Sequence, residues 1–293
     1  MSYARVGVVT GANKGIGYAI VRQLALQYPH SPLNRGPLLI YLTARDTQRG
    51  ESAVSSLGSD PALRQAKALA SDGGLTSIRF HPLDIASSAS ISTFAAALAK
   101  EHPDGIDFVI NNAGMAMDGF DINVVKTTLA CNYHGTLAAT RAFLPLLTKP
   151  DGGRIVNVAS SAGLLNRYSR SIQERFLHAK SVDDVTSLMD EFTAAVERGT
   201  ERAEGWPSAA YATSKAGEIG MTLQIAEELK RQGKTEVLVN VCCPGWVVTD
   251  MTKGRGHKTP DQGAQTPVML AIGDIEGKSG KFWRDEVEIS WGG

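Results

Sequence analysis

The sequence predicts a single α/β domain: a doubly wound sheet of about seven mostly parallel strands, with helices on both faces. Three observations carry this. Short β-branched runs alternate with longer helical windows along all 293 residues, the pattern of a parallel sheet with helical crossovers. Several runs (VGVVT, LLIYLTA, DFVIN, RIVNVA, VLVNVCC) are almost continuously apolar, as strands buried on both faces are. No repeat, low-complexity segment or Pro/Gly/Ser linker divides the chain, so residues 1–293 read as one domain.

The expected strands are 5–10, 38–43, 77–83, 107–111, 154–159, 236–242 and roughly 281–288. Helical windows lie at 16–28, 47–69, 91–102, 124–147, 209–232 and 261–271. About 50 residues between the fifth strand and the helix from 209 break this rhythm. They hold two charged, helix-competent pieces, 171–180 and 182–202, and the charge run 171–202 is most simply a solvated helical face. A segment this long inside a compact domain carries structure or function. It reads as a helical insertion at about 162–207, folded over the substrate side of a pocket.

Composition narrows the function. Apolar residues make up 43% and charged residues 20%, and 30 basic side chains balance 30 acidic ones. That excludes wholesale disorder and leaves no electrostatic footprint for nucleic acid or an anionic membrane. No apolar run approaches the ~20 residues of a membrane span, and the run in MSYARVGVVTGANKG is too short for a secretory signal. Cys131, Cys242 and Cys243 make no disulfide framework, and the expectation is a cytoplasmic protein. His81, His134 and His178 show no ligand spacing, so no metal is expected.

Thr10-Gly11-Ala12-Asn13-Lys14-Gly15-Ile16-Gly17 lies between the first strand and the first helix. Its glycines permit a tight turn, close approach of a pyrophosphate and close helix packing, with the helix N-terminus aimed at the phosphates. This makes the sheet Rossmann-type and predicts a dinucleotide. Just past the second strand stands Arg45, with Arg49 one turn on and Lys14 in the glycine loop. Three cations there suit the 2′-phosphate of NADP(H). Asp46 dissents, because a carboxylate on the ribose would select NAD. Asp84, before Ile85, ends the third strand where it can accept from adenine. Asn111-Asn112-Ala113-Gly114 ends the fourth, where small residues let backbone lie along adenine and ribose.

Tyr211 and Lys215 lie four apart, on one face of a helix. A phenol ionises near pH ~10, and an adjacent ammonium lowers that value, which suits proton transfer beside a hydride donor. Ser160 ends the fifth strand, where a hydroxyl can hold a carbonyl oxygen; Ser161 competes for that role. Asn132 can anchor a water leading away from Lys215. Cys242 and Cys243 offer a reactive thiol or plain packing, and Trp206 and Trp246 offer a substrate wall or plain packing.

TGANKGIG, NNAG, Asn132, Ser160, YATSK and Pro244-Gly245-Trp246-Val247-Val248-Thr249 together resemble the short-chain dehydrogenase/reductase family, over essentially the whole chain to about Trp291. GANKGIGYAIVRQL, LTARDTQRG, FHPLDI, EGWPSAAY and CCPGWVVTDM are similar to its monomeric NADPH carbonyl reductases, as is the long insertion before Tyr211. The resemblance implies that Tyr211 donates the proton, Ser160 polarises the carbonyl, Lys215 binds the nicotinamide ribose and Asn132 holds a relay water. It implies that Asn13, Lys14, Arg45 and Arg49 hold the phosphate-bearing end, Asp84 meets adenine and Asn112 the adjoining ribose. Pro244-Gly245 would open room for nicotinamide, with Val247 at the carboxamide and Thr249 near the pyrophosphate. Residues 164–180 match only loosely, and the linker 27–37 is longer and Pro-rich.

The expected activity is NADPH-dependent reduction of a small ketone, aldehyde or quinone by a monomer. An NAD-dependent secondary alcohol dehydrogenase is disfavoured by Arg45. A non-catalytic NADP-binding sensor is disfavoured by the presence of all four site side chains.

Overall fold

The structure, a computed structural model, describes residues 3–149 and 152–292. Eight strands form one sheet: β1 Arg5–Val9, β2 Leu38–Ala44, β3 Thr76–Pro82, β4 Phe108–Asn111, β5 Gly153–Val158, β6 Val237–Cys243, β7 Phe282–Arg284 and β8 Val287–Ile289. Their spatial order is β3-β2-β1-β4-β5-β6-β7-β8. All pairings are parallel except β7 with β8. Strand order reverses between β1 and β4, the switch point where such sheets open a crevice at their carboxyl edge.

The expected seventh strand is therefore two. Asp285 and Glu286 adopt φ of 54° and 63°, a left-handed pair that folds the segment back into a tight hairpin. Neither residue is glycine, so the usual sequence signal was missing.

Helices α1 Gly15–Gln27, α2 Thr47–Gly58, α3 Pro61–Gln65, α4 Ser88–Glu101, α5 Ile122–Leu129, α6 Thr136–Phe143, α7 Arg170–Leu177, α8 Val182–Arg198, α9 Ala210–Arg231 and α10 Pro260–Ile272 complete the chain. β1 and β2 are buried along their whole length. One apolar core joins α1, α2 and α10 to one sheet face, and a second joins α4, α5, α6 and α9 to the other. The window 47–69 divides because Asp60 caps a new helix whose first residue is Pro61. The window 124–147 divides because Ala130–Gly135 is π-helical, a one-residue excess typical of functional sites. None of the described helices is long and apolar enough to cross a membrane.

The insertion is helical, as expected, and α8 packs along α5 and α9. Ser181 and Asp184 close a capping box at its start. Trp206 is only 3% exposed. Its ring centroid lies 5.5 Å from Phe192, 6.1 Å from Tyr168 and 6.2 Å from Phe176. Trp291 joins this group at 5.5 Å from Phe176 and donates its indole N–H to the Gly163 carbonyl at 2.9 Å. The substrate-wall expectation for Trp206 is thus corrected: its ring is enclosed by the insertion's own aromatic side chains. Truncating it leaves a large void, so Trp206→Ala is expected to destabilise the protein by about 3–5 kcal/mol. Urea unfolding followed by far-UV circular dichroism measures this.

Candidate active site

Residues 10–17, Arg45, Asp84, residues 112–114 and Ser160 follow the carboxyl ends of β1 to β5. At the switch point β1 and β4 are sewn together. The Thr10 hydroxyl accepts the backbone N–H groups of Asn112 and Ala113, both at 3.0 Å. The Asn112 amide donates to the carbonyls of Thr10 (3.0 Å) and Gly11 (3.1 Å). Both Asn112 donors are therefore spent on the glycine loop, and only its side-chain oxygen is left for a ribose. Gly11 and Gly15 turn at φ of 62° and 57°. A Cβ on Gly17 would come within 2.4 Å of the Gly11 carbonyl and 2.5 Å of the Asn112 amide, so only glycine lets α1 approach so closely.

α1 has no capping side chain and no acidic residue in its first turn, whereas α2, α4 and α5 are all capped. Its first N–H groups, Ile16 and Gly17 among them, form the donor end that a pyrophosphate fits. Thr249 stands opposite, with its methyl 3.6 Å from where a Gly15 Cβ would be. Beside this turn a cleft of about 740 Å³ is lined by Asn13, Lys14, Tyr18, Gln48, Arg49 and Ser52, among others. Sequence reading missed Tyr18, Gln48 and Ser52, which meet only because α1 and α2 face each other. Arg45 is exposed at the end of β2 but does not line this cleft. Lys14 pairs with Asp250 at 2.6 Å, both well exposed. Asp46 does not dissent in the structure: its carboxylate accepts the Arg49 backbone N–H at 2.8 Å and caps α2.

Asp84 accepts the Ala86 N–H on one oxygen, leaving the other open. The Ile85 side chain is buried in the core, so only its backbone remains for a nucleotide. Gly245 turns at φ 86° after Pro244. The Val247 side chain is buried, and its carbonyl accepts the Thr252 hydroxyl at 2.8 Å. Trp246 is 53% exposed, with His257 edge-on at 4.7 Å. Met117, Val248 and Met251 are exposed nearby in sequence or across the Lys253–Asp118 ion pair at 2.9 Å. Exposed apolar side chains gathered on two linked segments suit an apolar ligand.

At the chemical end, Ser160 caps a short 3₁₀ turn, accepting Ala162 N–H at 3.1 Å, and its side chain is near enough to the Tyr211 phenol to favour the phenol's charged form. Ser161 instead leans back through its N–H to the Cys243 sulfur at 3.1 Å. Lys215 Nζ lies 5.8 Å from the Tyr211 ring centroid. It donates to the Val158 carbonyl at 3.0 Å and to Glu218 at 2.6 Å. Burial pushes the Tyr211 phenol up; Lys215 pulls it down and Glu218 pushes it back up, so it stands above its ordinary value. The expected lowering by the ammonium is present but outweighed. Burial opposes the charged form of Lys215, yet Glu218 holds its pKa above the ordinary value.

Asn132 sits in the π-helical segment. Its amide donates to the Met115 carbonyl (2.8 Å) and the Ser214 hydroxyl (3.0 Å), and its oxygen accepts Met115 N–H at 2.8 Å. One lone pair of that oxygen is left for a water. A Cβ on Gly114 would come within 3.3 Å of this oxygen and 3.6 Å of Lys215 Nζ, so glycine keeps the space between them open.

The fold and this constellation define a dinucleotide-binding protein with a Tyr-Lys-Ser-Asn set at the open end of its sheet. The chain belongs to the short-chain dehydrogenase family, whose model matches residues 5–172 and 197–260. Residues 173–196, between the two matched segments, fall on α7 and α8. The chain is 38% identical to carbonyl reductase (NADPH) 1 of Sus scrofa, across 99% of this chain and 96% of that protein. It is 37% identical to carbonyl reductase (NADPH) 1 of Homo sapiens, across 98% of each. Salutaridine reductase of Papaver somniferum is similar in structure at TM-score 0.80 and 27% identity, over 95% of this chain and 99% of that one.

The cysteines pack rather than react. Cys242 and Cys243 are buried, and burial pushes the Cys242 thiol well above its ordinary value and the Cys131 thiol up as well. Thiolate is the reactive form. Cys242 is therefore expected to stay unalkylated by iodoacetamide at pH 8 in native protein and to react once urea unfolds the chain, as read by peptide mass spectrometry.

Proposed function

We propose that this chain is an NADPH-dependent carbonyl reductase acting on a small ketone, aldehyde or quinone. The observation that carries the reading is the buried Lys215 ammonium, 5.8 Å from the Tyr211 ring and bonded to the Val158 carbonyl at the strand end that leads to Ser160. Near-full-length similarity to NADPH carbonyl reductases supports it. When bound, NADPH supplies the hydride.

This chain's residues do the rest. Ser160 and Tyr211 converge on one carbonyl oxygen, and Tyr211 donates its proton as negative charge develops there. A phenol held above its ordinary pKa is fully protonated at neutral pH, the form that reduction needs. Lys215 directs its remaining N–H toward the open side, for the nicotinamide ribose and the phenol. Asn132 keeps one acceptor for a water that restores the proton. The uncapped α1 terminus and Thr249 flank the pyrophosphate position, and Pro244-Gly245 and Val247 the nicotinamide. Asp84, Ala113, Gly114 and the Asn112 oxygen border the adenosine. Lys14, Asn13 and Arg49 line the cleft for the 2′-phosphate, and Arg45 stands exposed just past β2. Asp46, engaged as a cap, supports NADP over NAD.

Ser161 and the exposed Trp246 stand at the mouth for substrate. Residues 162–207 form the insertion of the single domain, which begins at that mouth. Its α8 covers α5 and α9, which leaves less of those helices open to a second copy, and this supports a monomer. Three free cysteines fit a reducing, cytoplasmic setting.

Tyr211→Phe is expected to lower kcat/KM for an aromatic dicarbonyl by at least about 100-fold while NADPH still binds, as read by cofactor fluorescence. Wild-type-like turnover in that variant would end the mechanism. Lys14→Ala and Arg49→Ala are each expected to weaken NADPH by about tenfold and leave NADH binding unchanged. Equal losses for both cofactors by calorimetry would contradict the phosphate assignment.

A further inference from the structure

Lys215 does not stand alone against the sheet. Glu218, one turn further along α9, meets its ammonium at 2.6 Å, with the two side chains only 4% and 1% exposed. The same ammonium donates to the Val158 carbonyl at 3.0 Å. Two of its three N–H groups are thereby committed, and the third is aimed by elimination.

We propose that Glu218 is a positioning residue for proton transfer: its carboxylate clamps the Lys215 ammonium against the end of β5 and offsets its charge, so that the Tyr211 phenol is held in its proton-donating form. This inference rests on Tyr211 as the proton donor.

The carboxylate is a poor choice for a brace. Its second oxygen is buried with no hydrogen-bond partner among the described residues. Replacing such a buried pair by well-packed apolar groups is often neutral or stabilising, so stability alone does not account for the carboxylate. Its electrostatic effect is specific. An isolated ammonium beside the phenol stabilises phenolate strongly, whereas an ammonium paired at 2.6 Å with a carboxylate exerts only part of that pull on the ring.

The titratable groups facing the pair are Tyr211 on the same helix, Cys131 from the π-helical segment, and Cys242 and Cys243 from β6. Burial keeps the Cys131 and Cys242 thiols protonated. Glu218 is therefore the anionic group that offsets Lys215. Burial outweighs the pull of Lys215 and raises the Glu218 carboxyl to about 7. The offset is thus complete above neutrality, where the phenol titrates.

The experiment is the pH dependence of kcat/KM, for carbonyl reduction with NADPH and for alcohol oxidation with NADP⁺, in wild type, Glu218→Gln and Glu218→Met. Reduction needs the phenol and falls as pH rises through its ionisation; oxidation needs phenolate and rises there. Loss of the Glu218 charge should move both limbs to lower pH by about one pH unit. Apoprotein affinity for NADPH, read by fluorescence, should change by less than about threefold. Glu218→Asp, which keeps the charge, should return the limbs to within a few tenths of a pH unit of wild type.

Folded neutral variants with unmoved limbs, whatever their melting temperature, overturn the proposal. So does failure of both neutral variants to fold, which makes the carboxylate a structural requirement. A wild-type-like Tyr211→Phe would end the underlying mechanism; unmoved limbs with an inactive Tyr211→Phe end this inference alone.

Discussion

Strands of a parallel sheet buried on both faces can place polar chemistry only where they end. β1, β2, β4 and β5 are nearly wholly buried along their length. Each must change character at the residue where its last ladder bond is made. Thr10, Arg45, Asn112 and Ser160 all stand at such exits, on the same edge, because the pairings are parallel. The switch point adds the gap. There β1 and β4 are held not by ladder bonds alone but by the Thr10 hydroxyl and the Asn112 amide, which satisfy four backbone groups. A rigid rim of this kind lets backbone N–H groups be offered to a ligand without collapse.

The chemistry follows from one ammonium placed where water is scarce. Lys215 reaches from α9 to the β5 carbonyl, so it fixes the helix that carries Tyr211 to the strand that carries Ser160. The π-helical turn swings Asn132 onto Ser214 and Met115, tying the loop after β4 to the same helix. Ser160, Lys215 and Asn132 are then held by partners that do not react. Preorganisation of this kind removes reorganisation from the reaction step. The insertion contributes to it from outside: its aromatic cluster and the Trp291–Gly163 bond brace the turn that follows Ser160.

Much of this was legible in sequence wherever the cause is local. Continuous apolar runs announced buried strands, and the glycine spacing announced the first turn. Tyr211 and Lys215 share a helix face by periodicity alone. Harder features depend on groups that meet from different elements. The hairpin at Asp285–Glu286 uses left-handed residues that carry no glycine signal. Trp206 reads as a pocket wall by proximity in sequence, yet Tyr168, Phe176 and Phe192 enclose it. Asp46 reads as a rival to Arg45 at the ribose, yet the free N–H groups of α2 claim it first.

Composition, periodicity and residue spacing by themselves determined the doubly wound class and the dinucleotide turn, and offered Tyr211, Lys215, Ser160 and Asn132 as candidates for the site. Those properties follow from i to i+4 geometry and from burial of apolar runs, which need no partner to be specified. Tertiary structure alone decided which polar atoms are already spent. It committed both Asn112 donors to the glycine loop, withdrew Trp206 into the insertion and set Glu218 against Lys215. Whether a hydrogen-bonding group is free to act depends on neighbours brought from elsewhere in the chain, and only the folded arrangement supplies them.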